Sequence, residues 1–252
     1  MKRLILAGAA VALIVAAPAA AKPPKYISDA VAQSTRPADQ AALDGERKPA
    51  ETVAFAGVKP GTKVMDLVPG QGYFTRIFSG VVGDKGWVYA YFPSETDAFI
   101  KKRLGNDVKI ERLFDSIPHT SIVHAPITKI SAPESLDIVF TAQNYHDFHD
   151  SFFGPADIGV VNKAIYDALK PGGYFVLIDH SAAKGSGLAA TETLHRIDED
   201  VVKKEVEAAG FKLVAEANFL RNPADPRDKL VFDPSIRHKT DQFVLKFQKP
   251  RK

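Results

Sequence analysis

The chain has 252 residues, no cysteine and a formal net charge of +3. That length suits one α/β domain. The missing cysteines exclude disulfides, thiol catalysis and thiolate metal sites, and a near-balanced charge with no basic block argues against nucleic acid as a partner.

Lys2 and Arg3 precede a continuous apolar run from Leu4 to Ala17, then Pro18 and Ala19-Ala20-Ala21. This reads as a secretory signal peptide, residues 1–21, cut after Ala21. An uncleaved anchor is the other reading, but the run is shorter than the roughly 20 residues that cross a bilayer. The expected mature protein, residues 22–252, is periplasmic or secreted, with no stable membrane insertion after cleavage. Removing Lys2 and Arg3 takes Lys+Arg from 33 to 31 against Asp+Glu 30, a net charge of +1. Residues 22–57 read as a helical lead and 58–252 as a sheet core. Lys22 to Tyr26 is a proline-containing start, expected to be mobile. A helix is expected from Ala38 to Phe55, broken or restarted at Pro49 and ending at Gly57. Asp44, Glu46, Arg47 and Lys48 in its middle read as a solvated face; the alternative is a lid over the next segment.

That segment, Lys63 to Phe78, reads KVMDLVPGQGYFTRIF. Val64, Met65, Leu67 and Val68 form a short apolar run. Pro69, Gly70, Gln71 and Gly72 follow, then Tyr73, Phe74, Ile77 and Phe78 at helical spacing. A buried strand, a glycine turn and a helix open a nucleotide-binding α/β sheet. Gly70 and Gly72 let the backbone turn tightly and a ligand approach, and the helix start directs free N–H groups at the same crevice. Asp66 stands ready to hold the loop by hydrogen bonds. A tight turn with no ligand is the alternative.

Strands and helices then alternate. Strands are expected at Trp87 to Phe92, Ser121 to His124, Leu136 to Ala142, Tyr174 to Ile178, Phe211 to Ala217 and Gln242 to Phe247. Helices are expected from Ser94 to Leu104, Ala156 to Leu169 and Asp198 to Ala209. Lys170-Pro171-Gly172-Gly173 reads as a turn, and Asn222 to Thr240 as a long polar flap or surface excursion. Seven strands with crossover helices make a doubly wound sheet.

VMDLVPGQGYFTRI, SLDIVFTAQNYHDF, ALKPGGYFVLIDHS and VVKKEVEAAGFKLV together resemble the class I S-adenosylmethionine-dependent methyltransferases, over nearly all of the mature chain. ERKPAETVAFAGVKPG, the Val-Pro in the glycine motif and LHRID resemble a group of exported members. The resemblance implies a three-layer αβα, Rossmann-like sheet of order 3-2-1-4-5-7-6 with an antiparallel last strand. It implies S-adenosylmethionine as cofactor at the carboxyl ends of strands one and two. Asp66, Pro69, Gly70, Gly72, Tyr73, Phe92, Gln143 and Asn144 are then the expected cofactor-binding residues. Two positions depart from the family pattern. Val68 stands where a glycine is usual, and Phe92 where an acid binds the ribose hydroxyls; Glu95 or Asp97 would have to reach back instead.

The expected reaction site follows strands four and five. His146, oriented by Asp147, is the expected general base, with His180 and His195 on the acceptor side. Hydrogen bonding that merely steadies the loop is the alternative for each histidine. Convergence of Asp147, His149, Asp150, Asp179 and His180 on a divalent metal is a further reading, but H-D-x-H-D has no recognised metal spacing and no metal ligand is assigned. The expected function is methyl transfer from S-adenosylmethionine to a small-molecule acceptor. The alternative is a periplasmic binding protein that kept the fold and lost the cofactor. Neither the acceptor nor the oligomeric state is written in the sequence.

Overall fold

The computed structural model describes residues 22–105, 110–154 and 156–251. The expected signal peptide lies outside the described residues.

Of the expected lead, Lys22 to Tyr26, only Lys25 and Tyr26 are helical; they open α1 (Lys25–Val31), in which Ile27 and Ala30 are buried. It packs on a later helix at Gly80, where a Cβ would stand 3.1 Å from the Ala30 Cβ. The single helix expected over 38–55 is three short ones: α2 (Ala38–Ala41), α3 (Asp44–Arg47) and α4 (Pro49–Ala56). Lys48, at φ 46°, separates α3 from α4, and Pro49 takes the first helical position, where no N–H is needed. Gly57 ends α4 in the left-handed conformation.

The core then unfolds as β1 (Lys63–Leu67), α5 (Tyr73–Val82), β2 (Trp87–Pro93), α6 (Asp97–Leu104), α7 (Ile110–Phe114), β3 (Thr120–Ala125), β4 (Leu136–Ala142), α8 (Ile158–Ala168), β5 (Leu169–His180), α9 (Thr191–Leu194), α10 (Glu199–Ala208), β6 (Lys212–Ala217) and β7 (Gln242–Gln248). The strand order is β3-β2-β1-β4-β5-β7-β6, with β7 antiparallel to both neighbours. The sequence expectation for sheet order and for the reversed last strand therefore holds.

Asp157 caps α8 by accepting from the N–H groups of Gly159 and Val160. Asp198 caps α10 in the same way, from Asp200. One correction concerns Lys170 to Gly173. It is not a turn before the strand but the first part of β5. The backbone of Gly172 and Gly173 exchanges hydrogen bonds with Lys249, just beyond β7, which holds this segment at the edge of the sheet.

Both faces of the sheet are buried, as parallel strands between helices require. Met65, Leu67, Tyr91, Val139, Phe175, Leu177 and Leu245 pack on one face with α8 and α10. Val64, Val88, Ile138, Phe140, Val176 and Val244 pack on the other with α1, α4 and α5. Side chains alternate between the faces along each strand. Functional groups are thereby left to the strand ends.

Candidate functional site

The chain leaves β1 through Val68, which sits at φ 60°. A β-branched residue is rare in that left-handed region, and the conformation explains why glycine would suit the position. The N–H of Gly72 then bonds to the Pro69 carbonyl (2.9 Å), closing the turn. At Gly70 a Cβ would meet nothing within 4 Å, so the backbone there borders open space. At Gly72 a Cβ would come within 2.9 Å of the Phe114 ring, so α7 covers that end of the turn. Asp66 is buried and accepts from the Thr75 hydroxyl (2.6 Å), which fixes the first turn of α5 rather than the loop. Burial raises its pKa to about 6.

The charged run is only partly a solvated face: Glu46 stays exposed, while Asp44 and Arg47 cover the glycine turn. Arg47 lies 4.6 Å over the Tyr73 ring and donates to Gln143 Oε1 (3.3 Å). Asp44 accepts from Tyr73 Oη (2.7 Å) and from Arg36 (2.6 and 2.8 Å). Gln40 donates to the Gln71 carbonyl (3.0 Å). Arg36, Gln40 and Arg47 were not among the expected site residues. Gln40 and Arg47 lie in short helices and Arg36 in the connection before them, and none carries a local signal of what it meets.

Phe92 is buried with Phe114 and Ile117 in a separate apolar cluster, its ring 5.3 Å from that of Phe114. Neither of the two expected acids replaces it: Glu95 accepts from the Ile127 N–H (3.1 Å) and Asp97 pairs with His124 (2.8 Å).

After β4, Gln143 adopts φ 65°, and its side chain also donates to Gln242 Oε1 (3.1 Å) at the start of β7. Asn144 Nδ2 donates to the carbonyls of Ala142 (2.7 Å) and Val68 (3.2 Å). Asn144 thus ties the loop after β4 to the glycine turn after β1.

The next turn, 146–149, carries the histidines. His146 is buried, and its Nδ1 lies 2.8 Å from Asp179 Oδ1 at the end of β5. The other Asp179 oxygen accepts the His146 N–H (2.8 Å). The residue that orients His146 is therefore Asp179 on its inner side. Asp147 lies on the outer side, with Oδ1 3.1 Å from His146 Nε2. Burial opposes charging of His146, but Asp179 and Asp147 outweigh it and raise its pKa well above the ordinary value. His195 Nδ1 stands 3.2 Å from His146 Nε2, 3.5 Å from Asp147 Oδ1 and 3.8 Å from Asp150 Oδ2. Its ring neighbours Phe232, an exposed aromatic residue of the long flap.

Three of the four expected reaction-site residues, His146, Asp147 and His195, thus meet in space. His180 lies beside His146, ring centroids 6.1 Å apart, but it brings no polar atom to the group. Its Nδ1 bonds to the Thr240 hydroxyl (2.8 Å), and burial pushes its pKa down to about 3. His149 is also elsewhere, against Glu205 (3.2 Å).

Solved structures share this architecture. An S-adenosylmethionine-dependent methyltransferase from Aquifex aeolicus superposes with a TM-score of 0.52 at 17% identity, covering 82% of this chain and 98% of that one. A second, from Mesorhizobium loti, gives 0.51 at 16% identity over 82% and 99%. The chain has the class I methyltransferase fold. In sequence it is similar to the ubiquinone/menaquinone biosynthesis C-methyltransferase UbiE of Shewanella woodyi, 28% identical over 198 residues, covering 77% of this chain and 67% of that one. The UbiE of Shewanella piezotolerans is likewise 28% identical, over 201 residues. No protein-family model matches the chain.

Proposed function

We propose that the protein is an exported S-adenosylmethionine-dependent methyltransferase acting on a small-molecule acceptor. The observation that carries the reading is the Asn144 bond to the Val68 carbonyl. It joins a glycine turn that borders open space at Gly70 to the histidine–carboxylate group beyond β4, as a donor site beside an acceptor site requires. The sequence likeness to UbiE proteins and the shared fold support it. The basic Lys2-Arg3, the apolar run and Ala19-Ala20-Ala21 support export.

Gly70, Pro69 and the N–H groups at the start of α5 would hold the donor, with Tyr73, Gln143 and Asn144 toward its methionine end. Asp66 holds the start of α5 through the Thr75 hydroxyl. Phe92 offers an apolar wall in place of a ribose acceptor. The bound donor supplies an electrophilic methyl on a sulfonium; the chain supplies alignment and exclusion of water. His195 and Asp147, both partly exposed, present polar atoms to an acceptor, and Asp179 holds His146 rigid behind them.

Calorimetric titration of the mature protein with S-adenosylhomocysteine tests the reading. One-to-one binding is expected, and Gly70→Asn is expected to abolish it. Asparagine tolerates the left-handed backbone, so the fold survives while a side chain enters the open space. Absence of binding at millimolar ligand rejects the proposal. Intact-mass analysis of protein from the native host tests export: cleavage before Lys22 is expected, and an uncut cytoplasmic species refutes it.

A further inference from the structure

We propose that His146, Asp147, Asp150 and His195 form a mononuclear site for a first-row divalent metal ion such as Zn²⁺. Each offers one donor atom, and the four atoms lie within 4.8 Å of one another. A tetrahedral site with metal–ligand bonds of about 2.0–2.1 Å spaces its ligands about 3.3 Å apart. Three of the pairs are close to that spacing: His146 Nε2 to Asp147 Oδ1 at 3.1 Å, His146 Nε2 to His195 Nδ1 at 3.2 Å, and His195 Nδ1 to Asp147 Oδ1 at 3.5 Å. Asp150 Oδ2, 3.8 Å from His195 Nδ1, needs only a small side-chain shift.

An independent observation comes from Asp150. Its side chain is 1% exposed, and neither oxygen has a hydrogen-bond partner in good geometry; it is approached by His195 Nδ1 at 3.8 Å and by the Thr191 hydroxyl. The nearby Thr191 hydroxyl gives its bond to the Leu188 carbonyl (3.2 Å). A buried carboxylate without a donor is costly. A simple ion cluster centred on His146 explains Asp147 and Asp179 and leaves Asp150 unanswered. A cation between the four groups satisfies it.

Behind the ligands, Asp179 supplies the outer-shell partner that metal-bound histidines usually have. It is itself fixed by the N–H groups of His146 (2.8 Å) and His180 (2.7 Å). With Nδ1–H donated to Asp179, the lone pair of His146 lies on Nε2, facing Asp147 and His195. Imidazole and carboxylate donors without sulfur select zinc, manganese or ferrous iron over copper(I). His195 completes the set from the left-handed position just after α9, 49 residues beyond His146, and no linear motif spans that gap. This assignment does not rest on methyl transfer.

The test uses the mature protein, stripped with chelator and titrated with Zn²⁺ alone, with elemental analysis of the product. One ion per chain is expected, and Co²⁺ in its place should give the visible bands of a four-coordinate site. Asp150→Asn and His195→Ala should each weaken zinc binding by about 100-fold or more, and Asp179→Asn by roughly 10–100-fold. Asp150→Asn preserves size and removes an unpaired buried charge, and circular dichroism checks that it folds. Folded wild-type protein that takes up no zinc overturns the proposal. Zinc bound equally well by Asp150→Asn and His195→Ala overturns it too, because surface pairs such as His119–Asp84 and His124–Asp97 then hold the ion. Titrating the same samples with S-adenosylhomocysteine reads the donor site separately, so either result stands or falls alone.

Discussion

Two residues at the end of β1 show what single positions cost and control. Val68 keeps the left-handed backbone of a glycine at about 1–3 kcal/mol of strain. Val68→Gly should therefore leave stability within about 1 kcal/mol of wild type, since relief of strain offsets lost packing and chain entropy. The same change at Val139, buried in a regular strand, should cost clearly more; urea unfolding compares them. Asp66 controls pH dependence. Its folded pKa of about 6 exceeds the ordinary 3.8. Between those values the native state holds a proton that the unfolded state has released. Stability from this group is therefore full below about pH 4 and falls as pH rises through 6, by about 3 kcal/mol in total. Asp66→Asn should abolish that fall, seen as a variant gaining on wild type between pH 4 and pH 7.5. The glycine turn was legible in the sequence because Gly70 and Gly72 stand beside an apolar strand. The conformation of Val68 was not, because its neighbours alone do not fix φ.

Among the elements, the flap between β6 and β7 is the most dependent on polar contacts. Arg196, fully buried, donates to Asp225 (2.7 and 3.1 Å) and to the Lys229 carbonyl (2.9 Å). Arg221 and Arg227 add pairs with Asp241 (3.3 and 2.9 Å). Arg196 follows His195 directly, so the pair that pins the flap also sets the histidine. Asp225→Ala should cost about 3–5 kcal/mol, because the guanidinium stays buried without its charge partner. Replacing both Arg196 and Asp225 with apolar residues should recover much of that loss. Chemical denaturation of the two variants measures the difference. The flap itself was legible as a long stretch without periodicity. Its anchor was not, since an arginine in sequence carries no mark of burial. α1 escaped for a related reason: seven residues without a side-chain cap are held by packing on Gly80, which only the fold reveals. The fully buried strands, by contrast, announce themselves as apolar runs, and that is why the sheet could be read strand by strand.

At the scale of the whole molecule, the strand ends after β1, β4 and β5 meet at one edge of the sheet. The reversal of β7 brings Gln242 to the same edge, where it receives the Gln143 amide. The last strand is also the filling between β5 and β6, since those two share no direct pairing in the order β5-β7-β6. A chain ended after residue 240 should therefore lose protection at Lys212–Ala217 while β1 and β4 keep theirs, as hydrogen exchange would show. This arrangement bears on how the protein is made. A ribosome delivers β6 well before the strand that must receive it. Until Gln242–Gln248 emerge, β6 stays undocked, the end of β5 lacks its β7 partner, and Gln143 lacks Gln242. Docking of β7 and completion of the site are thus one event, which leaves little chance for a partly emerged chain to act before that strand is in place.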